Sequence, residues 1–319
     1  MQIIGKTSID FVGNRWKLFA VSIFLVAASA VSLAKRGLVL GIDFTGGTVI
    51  QLAFEKAIAL GDLRKAIEAA GEPDASLQSF PKTNAFSIRL KTSLEANAAD
   101  IEKVLAGVQK EVGDNKFRVE SQEYVGPAVG KHLYRQALWA IILSLLGIIV
   151  YIAFRFENPI WGVAGVIAIG HDVLATLGLF SITGCEVDLL IVSALLTIAG
   201  YSINDTIVIF DRMRELMKLY RHDPLDATIN RAVNETLSRT IITNGTIFTV
   251  VLILFLLGGK VIHNFAMAMV FGAVVGTYST IAIASPLVYE WYHRTRRPSQ
   301  PPPQFGRPGG KGIGKPRRA

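Results

Sequence analysis

A chain of 319 residues is long enough for two folding units, and 51% hydrophobic content, 18% charge and a mean hydropathy of +0.41 are membrane values rather than those of a soluble enzyme. The formal charge of +8 is a property of the tail: Arg294, Arg296, Arg297, Arg307, Lys311, Lys315, Arg317 and Arg318 follow Trp291 with no acid among them, and the remainder is neutral. The single cysteine, Cys185, excludes an intrachain disulfide, no His/Cys cluster has metal-ligand spacing, and no cofactor is expected.

Residues 1–17 are a short net-basic segment ahead of the first apolar span, 18–34. Ala28-Ser29-Ala30 offers small residues for cleavage, but the preceding segment is long and holds Asp10, so the span reads as an uncleaved helix. Residues 35–131 are charge-balanced and globular in pattern. Near-alternation of β-branched residues predicts a strand over 48–54, and Leu63, Ala66, Ile67 and Ala70 share one face of a helix over 61–70. Two short strands, 77–80 and 85–90, flank the turn Pro81-Lys82-Thr83-Asn84. A helical period runs over 94–112, and a closing strand over 116–125. Strand–helix–strand–strand–helix–strand is the ferredoxin-like order, an α+β domain inserted after the first span.

Five further spans follow at 132–154, 160–182, 187–210, 240–258 and 264–290, so the chain is expected to be a polytopic α-helical membrane protein with six transmembrane helices. The last span has Ala268, Gly272, Gly276 and Thr280 at four-residue spacing, suited to close helix contact. The stretch 211–239 carries Arg212, Arg214, Lys218, Arg221, Arg231 and Arg239, whereas the loops near Gly184 and Gly258 hold one Lys and no Arg. The positive-inside rule puts the basic stretch and both termini in the cytoplasm and the inserted domain on the opposite side. Within that stretch, Asp223-Pro224 is expected to start an interfacial helix with Leu225, Ile229, Ala232, Val233 and Leu237 on its apolar side. The Pro/Gly/Arg-rich tail, 291–319, cannot build a core and is expected to be disordered. Anionic lipid, ribosome or nucleic acid would each attract its charge, and a solvated extension is the plain alternative.

Asp205 stands out chemically, because a carboxylate inside hydrocarbon costs on the order of 2.5–3.5 kcal/mol and usually pairs or titrates. Ser193, Thr197, Tyr201, Asn204 and Asp205 recur at three- and four-residue spacing, giving that helix a polar face. Arg239 lies at a matching depth on the next span, with Thr243 one turn further. It either pairs with Asp205, making a proton carrier whose charge depends on a movable partner, or snorkels to lipid head groups. His171 and Asp172, adjacent in the third span, point about 100° apart and are not expected to form a simple dyad. They read as supporting polar or packing residues. The glycines of Gly41–Thr48 invite a phosphate-loop reading, but no Lys-Ser/Thr follows and a strand does, so a tight turn is expected.

GIDFTGGT at Gly41–Thr48, Val125-Gly126-Pro127, His171-Asp172-Val173, Asn204–Arg212 and Asn234–Thr240 together resemble the SecF family of the bacterial Sec preprotein translocase. The resemblance covers about Gly5 to Tyr292 in order. It implies an RND-type half that joins SecD, works with the SecYEG channel and YajC- or YidC-type accessory subunits, and helps pull an exported preprotein chain across the cytoplasmic membrane with the proton gradient. It also implies that Asp205 is the proton-carrying acid and Arg239 its pairing arginine, with Thr243 and Asn204 beside that pathway. Rival readings are an RND-like exporter of small molecules or lipids, and a purely structural translocon subunit. The first should carry a second large outer insert, yet the loop after the fifth span is only a few residues.

Overall fold

The computed structural model of the protein describes residues 7–80, 84–90, 98–156, 158–259 and 261–295. Most of the expected Pro81–Asn84 turn, the start of the helix expected from Leu94, and nearly all of the basic tail lie outside these residues.

Helix α1 (Arg15–Arg36) enters the inserted domain through a two-residue strand β1 (Val39–Leu40) and a single turn α2 (Ile42–Thr45). The domain comprises β2 (Gly47–Phe54), α3 (Leu60–Ala69), β3 (Ser76–Phe80), β4 (Ala85–Leu90), α4 (Ala98–Val112) and β5 (Phe117–Val125). Its antiparallel sheet has the order β3-β4-β2-β5, the ferredoxin-like arrangement expected from the element order. Alternation in the strands sends Ile50, Leu52, Ile88 and Leu90 to one face, where Leu63 and Ile67 of α3 and Val104 and Val108 of α4 close an apolar core. Gly46 and Gly47 form the entry to β2 with φ of 73° and 125°. A Cβ at Gly46 would lie 2.8 Å from Pro127 Cα, and one at Gly47 2.7 Å from the Leu90 carbonyl oxygen. The pair serves a left-handed backbone and a close chain crossing.

The membrane helices are α1, α5 (Pro127–Phe156), α6 (Pro159–Thr183), α7 (Leu189–Leu219), α8 (Leu225–Leu257) and a last span built of α9 (His263–Ser279), a π-helical turn (Thr280–Ala284) and α10 (Ser285–Thr295). All six are long and apolar enough to cross a bilayer. A two-residue strand β6 (Glu186–Val187) precedes α7 and pairs in parallel with β1. Asn158 caps α6 by accepting the Ile160 amide ahead of Pro159, and Gly184 ends that helix in the left-handed conformation. The spans α6, α7 and α9–α10 form the buried centre, whereas α1, α5 and α8 turn large apolar faces outward.

Two apolar clusters fill the bundle at opposite ends. One contains Phe156, Trp161, Phe210, Met213, Ile229, Val233 and Tyr289; the other contains Phe44, Phe180, Ile191, Leu195, Ile198 and Met269. The interfacial helix expected within 211–239 is not a separate element. α7 continues to Leu219, and α8 runs unbroken from Leu225 into the fifth span, leaving a connection of only a few residues. Ile229, Ala232 and Val233 are fully buried in the core shared with Phe210 and Met213, so the apolar stripe packs on protein rather than lipid. Arg212 pairs with Glu235 across the two helices, and Asn230 and Asn234 bind the backbone of Ile9, Phe11 and Val12 ahead of α1.

Glycine sets how closely α1 approaches α6. A Cβ at Gly178 would stand 2.8 Å from Ser29 Cα, and Ser32 bonds Ser181 beside it at 2.8 Å. Gly178→Val should lower stability by about 1–3 kcal/mol through overpacking. Gly170→Ala, where nothing lies within 4 Å, should be neutral or stabilising. Thermal unfolding of the two variants in the same detergent checks the contrast.

Candidate functional site

Three polar groupings line the path from the inserted domain down α7. At the head of α7, Asp188 caps the helix by accepting the Ile191 amide at 2.9 Å. One residue on, the Leu189 amide donates to Asp43 Oδ2 of α2 at 3.0 Å, and Gly41 N–H donates to Val187 O at 2.8 Å. Arg89 of β4 is only 8% exposed; it donates to Thr45 Oγ1 at 2.5 Å and lies 3.7 Å from Glu186. The inserted domain is therefore bonded to the first turn of α7 and to the strand before it. Burial pushes the Glu186 carboxyl above its usual range, opposed by the Arg89 charge. Burial also raises Asp188, aided by the nearby Asp43 charge and opposed by the Ile191 amide.

Midway along α7, Asp205 is 3% exposed. Its carboxylate faces Asn244 of α8, and the Arg239 guanidinium acts on it through charge. Among the described residues no ion pair joins Asp205 to Arg239, whose side chain is exposed. Asn244 is held from two sides: it accepts from the Tyr201 hydroxyl and donates to Thr277 Oγ1 of α9 at 2.6 Å. Thr243 is half-buried, and its carbonyl accepts from Thr246 at 2.7 Å. Asn204 is exposed beside Ser193 and Thr197, so the polar face predicted on this helix splits. Ser193, Thr197 and Asn204 point out of the bundle, while Asp205 points in.

The third grouping corrects the expectation for His171 and Asp172. The two side chains do bond, His171 Nδ1 to Asp172 Oδ1 at 3.1 Å, because the ring and the carboxylate bend toward each other off the helix axis. Asp172 Oδ2 accepts from Ser202 Oγ of α7 at 2.7 Å and from Ser279 Oγ of α9 at 2.8 Å. One turn below, the Thr206 and Thr280 hydroxyls lie 3.0 Å apart, one donating to the other, and the Ser202 carbonyl oxygen lies within reach of both. Asn244, Ser202, Ser279 and Thr277 were not singled out from the sequence. Asn244 carried a signal, an amide within an apolar span directly after Thr243. The hydroxyls carried none, since serine and threonine are ordinary in membrane helices.

With this geometry described, likeness to known proteins is informative. Residues 104–294 match the family model described as protein export membrane protein SecD/SecF, C-terminal, and 31–58 match the SecD/SecF GG motif. A protein translocase subunit SecF from Endomicrobium trichonymphae is 41% identical over 93% of this chain and 96% of its own. One from Magnetococcus marinus is 44% identical over 90% and 94%. The chain belongs to the SecF family. The crystal structure of SecDF from Thermus thermophilus, described as a translocon-associated membrane protein, superposes with a TM-score of 0.83 at 38% identity. That match covers 90% of this SecF-family chain and 39% of the SecDF chain. The glycine-glycine match spans Gly46 and Gly47, the residues whose backbone crowding was described above.

The cap at the head of α7 is directly testable. Asp188→Ala should lose about 1 kcal/mol, while Asp188→Asn keeps the acceptor and should lose little. A carboxyl raised in the folded state contributes stability that is complete below its unfolded value of 3.8 and is lost as pH rises through the folded value. Asp188→Asn should therefore flatten the fall in stability above pH 3.8, measured by thermal unfolding across a pH series.

Proposed function

We propose that this chain is a proton-driven subunit of the protein-export machinery, in which the charge state of Asp205 is transmitted along α7 to the inserted domain. The observation that carries the reading is the continuity of α7. One rigid helix holds the buried Asp205 in its middle and is bonded at its head to Asp43, with β1–β6 pairing beside it. When Asp205 is ionised, Asn244 and the Arg239 charge favour it. When it takes a proton, both interactions weaken and α7 is free to shift against α8. A shift at the head of α7 moves the strand and turn that anchor the domain. An open cavity of about 600 Å³ between β3 and Gly184–Glu186 leaves room for that movement. No covalent bond is made or broken, and the chain acts as a motor rather than an enzyme.

Family membership supports the remaining assignments. The chain lies in the bacterial inner membrane with both termini cytoplasmic, because the described end rich in Arg155, Arg212, Arg214 and Arg231 is the basic one. The inserted domain is then periplasmic. SecD is the expected partner, supplying the part of the SecDF length that this chain does not cover. The pair works on the preprotein chain at the SecYEG channel, with YajC- or YidC-type subunits as accessories. Anionic lipid is the expected contact of the basic tail.

Asp205→Asn in reconstituted proteoliposomes should cut gradient-dependent preprotein translocation at least tenfold while the complex still assembles. Asn244→Leu should produce a smaller loss in the same assay. Full gradient-dependent translocation by Asp205→Asn would favour a structural subunit instead.

A further inference from the structure

Asp205 is not the most deeply buried acid of the bundle. Asp172 has no exposed surface, and His171 beside it is 6% exposed. Both Asp172 oxygens are occupied, Oδ1 by His171 Nδ1 and Oδ2 by the hydroxyls of Ser202 and Ser279. Two hydroxyls donate to Oδ2, and the 3.1 Å contact between Oδ1 and His171 Nδ1 holds one proton whose place depends on the imidazole tautomer. In the tautomer that donates from Nδ1 to Asp172, the ring atom left over is His171 Nε2, which is buried and has no partner among the described residues. Buried polar atoms without a partner are rare and call for a role.

We propose that His171 and Asp172 form a second proton-binding site of this protein, distinct from Asp205, in which His171 Nε2 accepts the proton. The step is simple in charge. A neutral imidazole beside the carboxylate leaves one negative charge between the two apolar clusters. Addition of a proton from water to Nε2 makes an imidazolium, and the pair becomes neutral. A lone buried charge is costly and a neutralised pair is far less so, so the two residues bind the proton as a unit.

The surrounding elements leave this exchange to the pair. From α9, the Tyr278 ring lies 6.3 Å from His171, but its hydroxyl is engaged, donating to Leu18 O at 2.7 Å and accepting from Ser22. From α7 come Ser202 and Thr206, with Asp205 directed instead toward Asn244. The interior face of α1 presents Ser22 and Ser29, its charges Arg15, Lys17, Lys35 and Arg36 being near its ends. Among the described residues no Lys or Arg pairs with either member.

The site also sits where a change of charge has a mechanical outlet. Asp172 is the common acceptor of Ser202 on α7 and Ser279 on α9, so its charge holds those two helices together. Gly276 lets them approach, since a Cβ there would stand 3.3 Å from Ser202 Cβ and 3.6 Å from Asp172 Oδ2. The π-helical turn begins at Thr280, directly after Ser279, and such turns recur at functional sites within helices. When Nε2 takes the proton, the Asp172 charge is shared with the imidazolium and its hold on the two hydroxyls slackens, loosening α7 against α9.

The test is ¹⁵N-histidine NMR of the full-length chain in lipid nanodiscs from pH 5 to pH 9, with the His171 signals assigned by their loss in His171→Gln. Nε2 of His171 should change from the unprotonated to the protonated signal within this range. Asp172→Asn should weaken that proton binding at least tenfold, and Asp205→Asn should leave it within twofold, which separates this site from the Asp205 reading. A wild-type His171 that keeps one neutral tautomer throughout, or one that titrates identically in Asp172→Asn, overturns the proposal. The wild-type titration decides the matter by itself if Asp172→Asn does not fold.

Discussion

The hydrogen bond from the Leu189 amide to Asp43, 3.0 Å long, joins the inserted domain to the first turn of the helix that carries Asp205. Helix N-termini present unsatisfied amides, and a carboxylate brought there from another part of the chain is favoured by both the hydrogen bond and the helix dipole. Asp43 and the cap residue Asp188 together occupy that end of α7. Because α7 is continuous for 31 residues, any displacement at its middle reaches this junction without a hinge. The β1–β6 pairing and the Arg89 contacts with Thr45 and Glu186 hold the domain to the same point. The junction is largely buried and combines these polar contacts with Phe44 of α2, which enters the apolar cluster at that end of the bundle.

The interior of the bundle is organised around the same helix. Apolar clusters close both ends, and the layer between them concentrates buried polar groups: Asp172, Ser202, Asp205, Thr206, Asn244, Ser279 and Thr280. A bundle stabilised only by packing would place apolar side chains there. Interhelical hydrogen bonds in this layer have modest individual strength, but each lost partner leaves an unsatisfied group away from water. The layer therefore helps to fix the register of the helices against one another. Glycines at 276 and 178 let helices approach closely enough for short hydroxyl bonds to span them.

Much of this was legible in the sequence. Apolar length located the spans, period-two alternation located the sheet, and a lone carboxylate in an apolar run pointed to Asp205. The failures have physical causes. The stripe Ile229, Ala232, Val233 is equally suited to a lipid surface and to the partner helix at Phe210 and Met213, and one-dimensional periodicity cannot tell the two apart. The β1–β6 pairing involves two residues per strand separated by a whole domain and a membrane hairpin, too short for any propensity to register. The environment of Asp172 depends on Ser279, 107 residues away, and on side chains bending across a helix face, whereas the 100° rule describes only where side chains leave the backbone. Depth and the family resemblance matched Arg239 to Asp205, and its charge acts on that carboxylate; what neither located is Asn244, the side chain that faces it, a little over one turn further along α8.

The central claim is that the charge of Asp205 sets the position of the inserted domain. It is tested most directly by double electron–electron resonance in proteoliposomes containing the chain and SecD. One spin label would sit at Lys110→Cys on the domain and the other at Arg221→Cys at the far end of the bundle, in a Cys185→Ser background; both labelled residues are exposed. The account predicts that Asp205→Asn shifts the distance distribution toward the population that low pH produces in the wild type, and removes its dependence on pH. A distribution unchanged by Asp205→Asn, with the wild-type pH dependence intact, would contradict it.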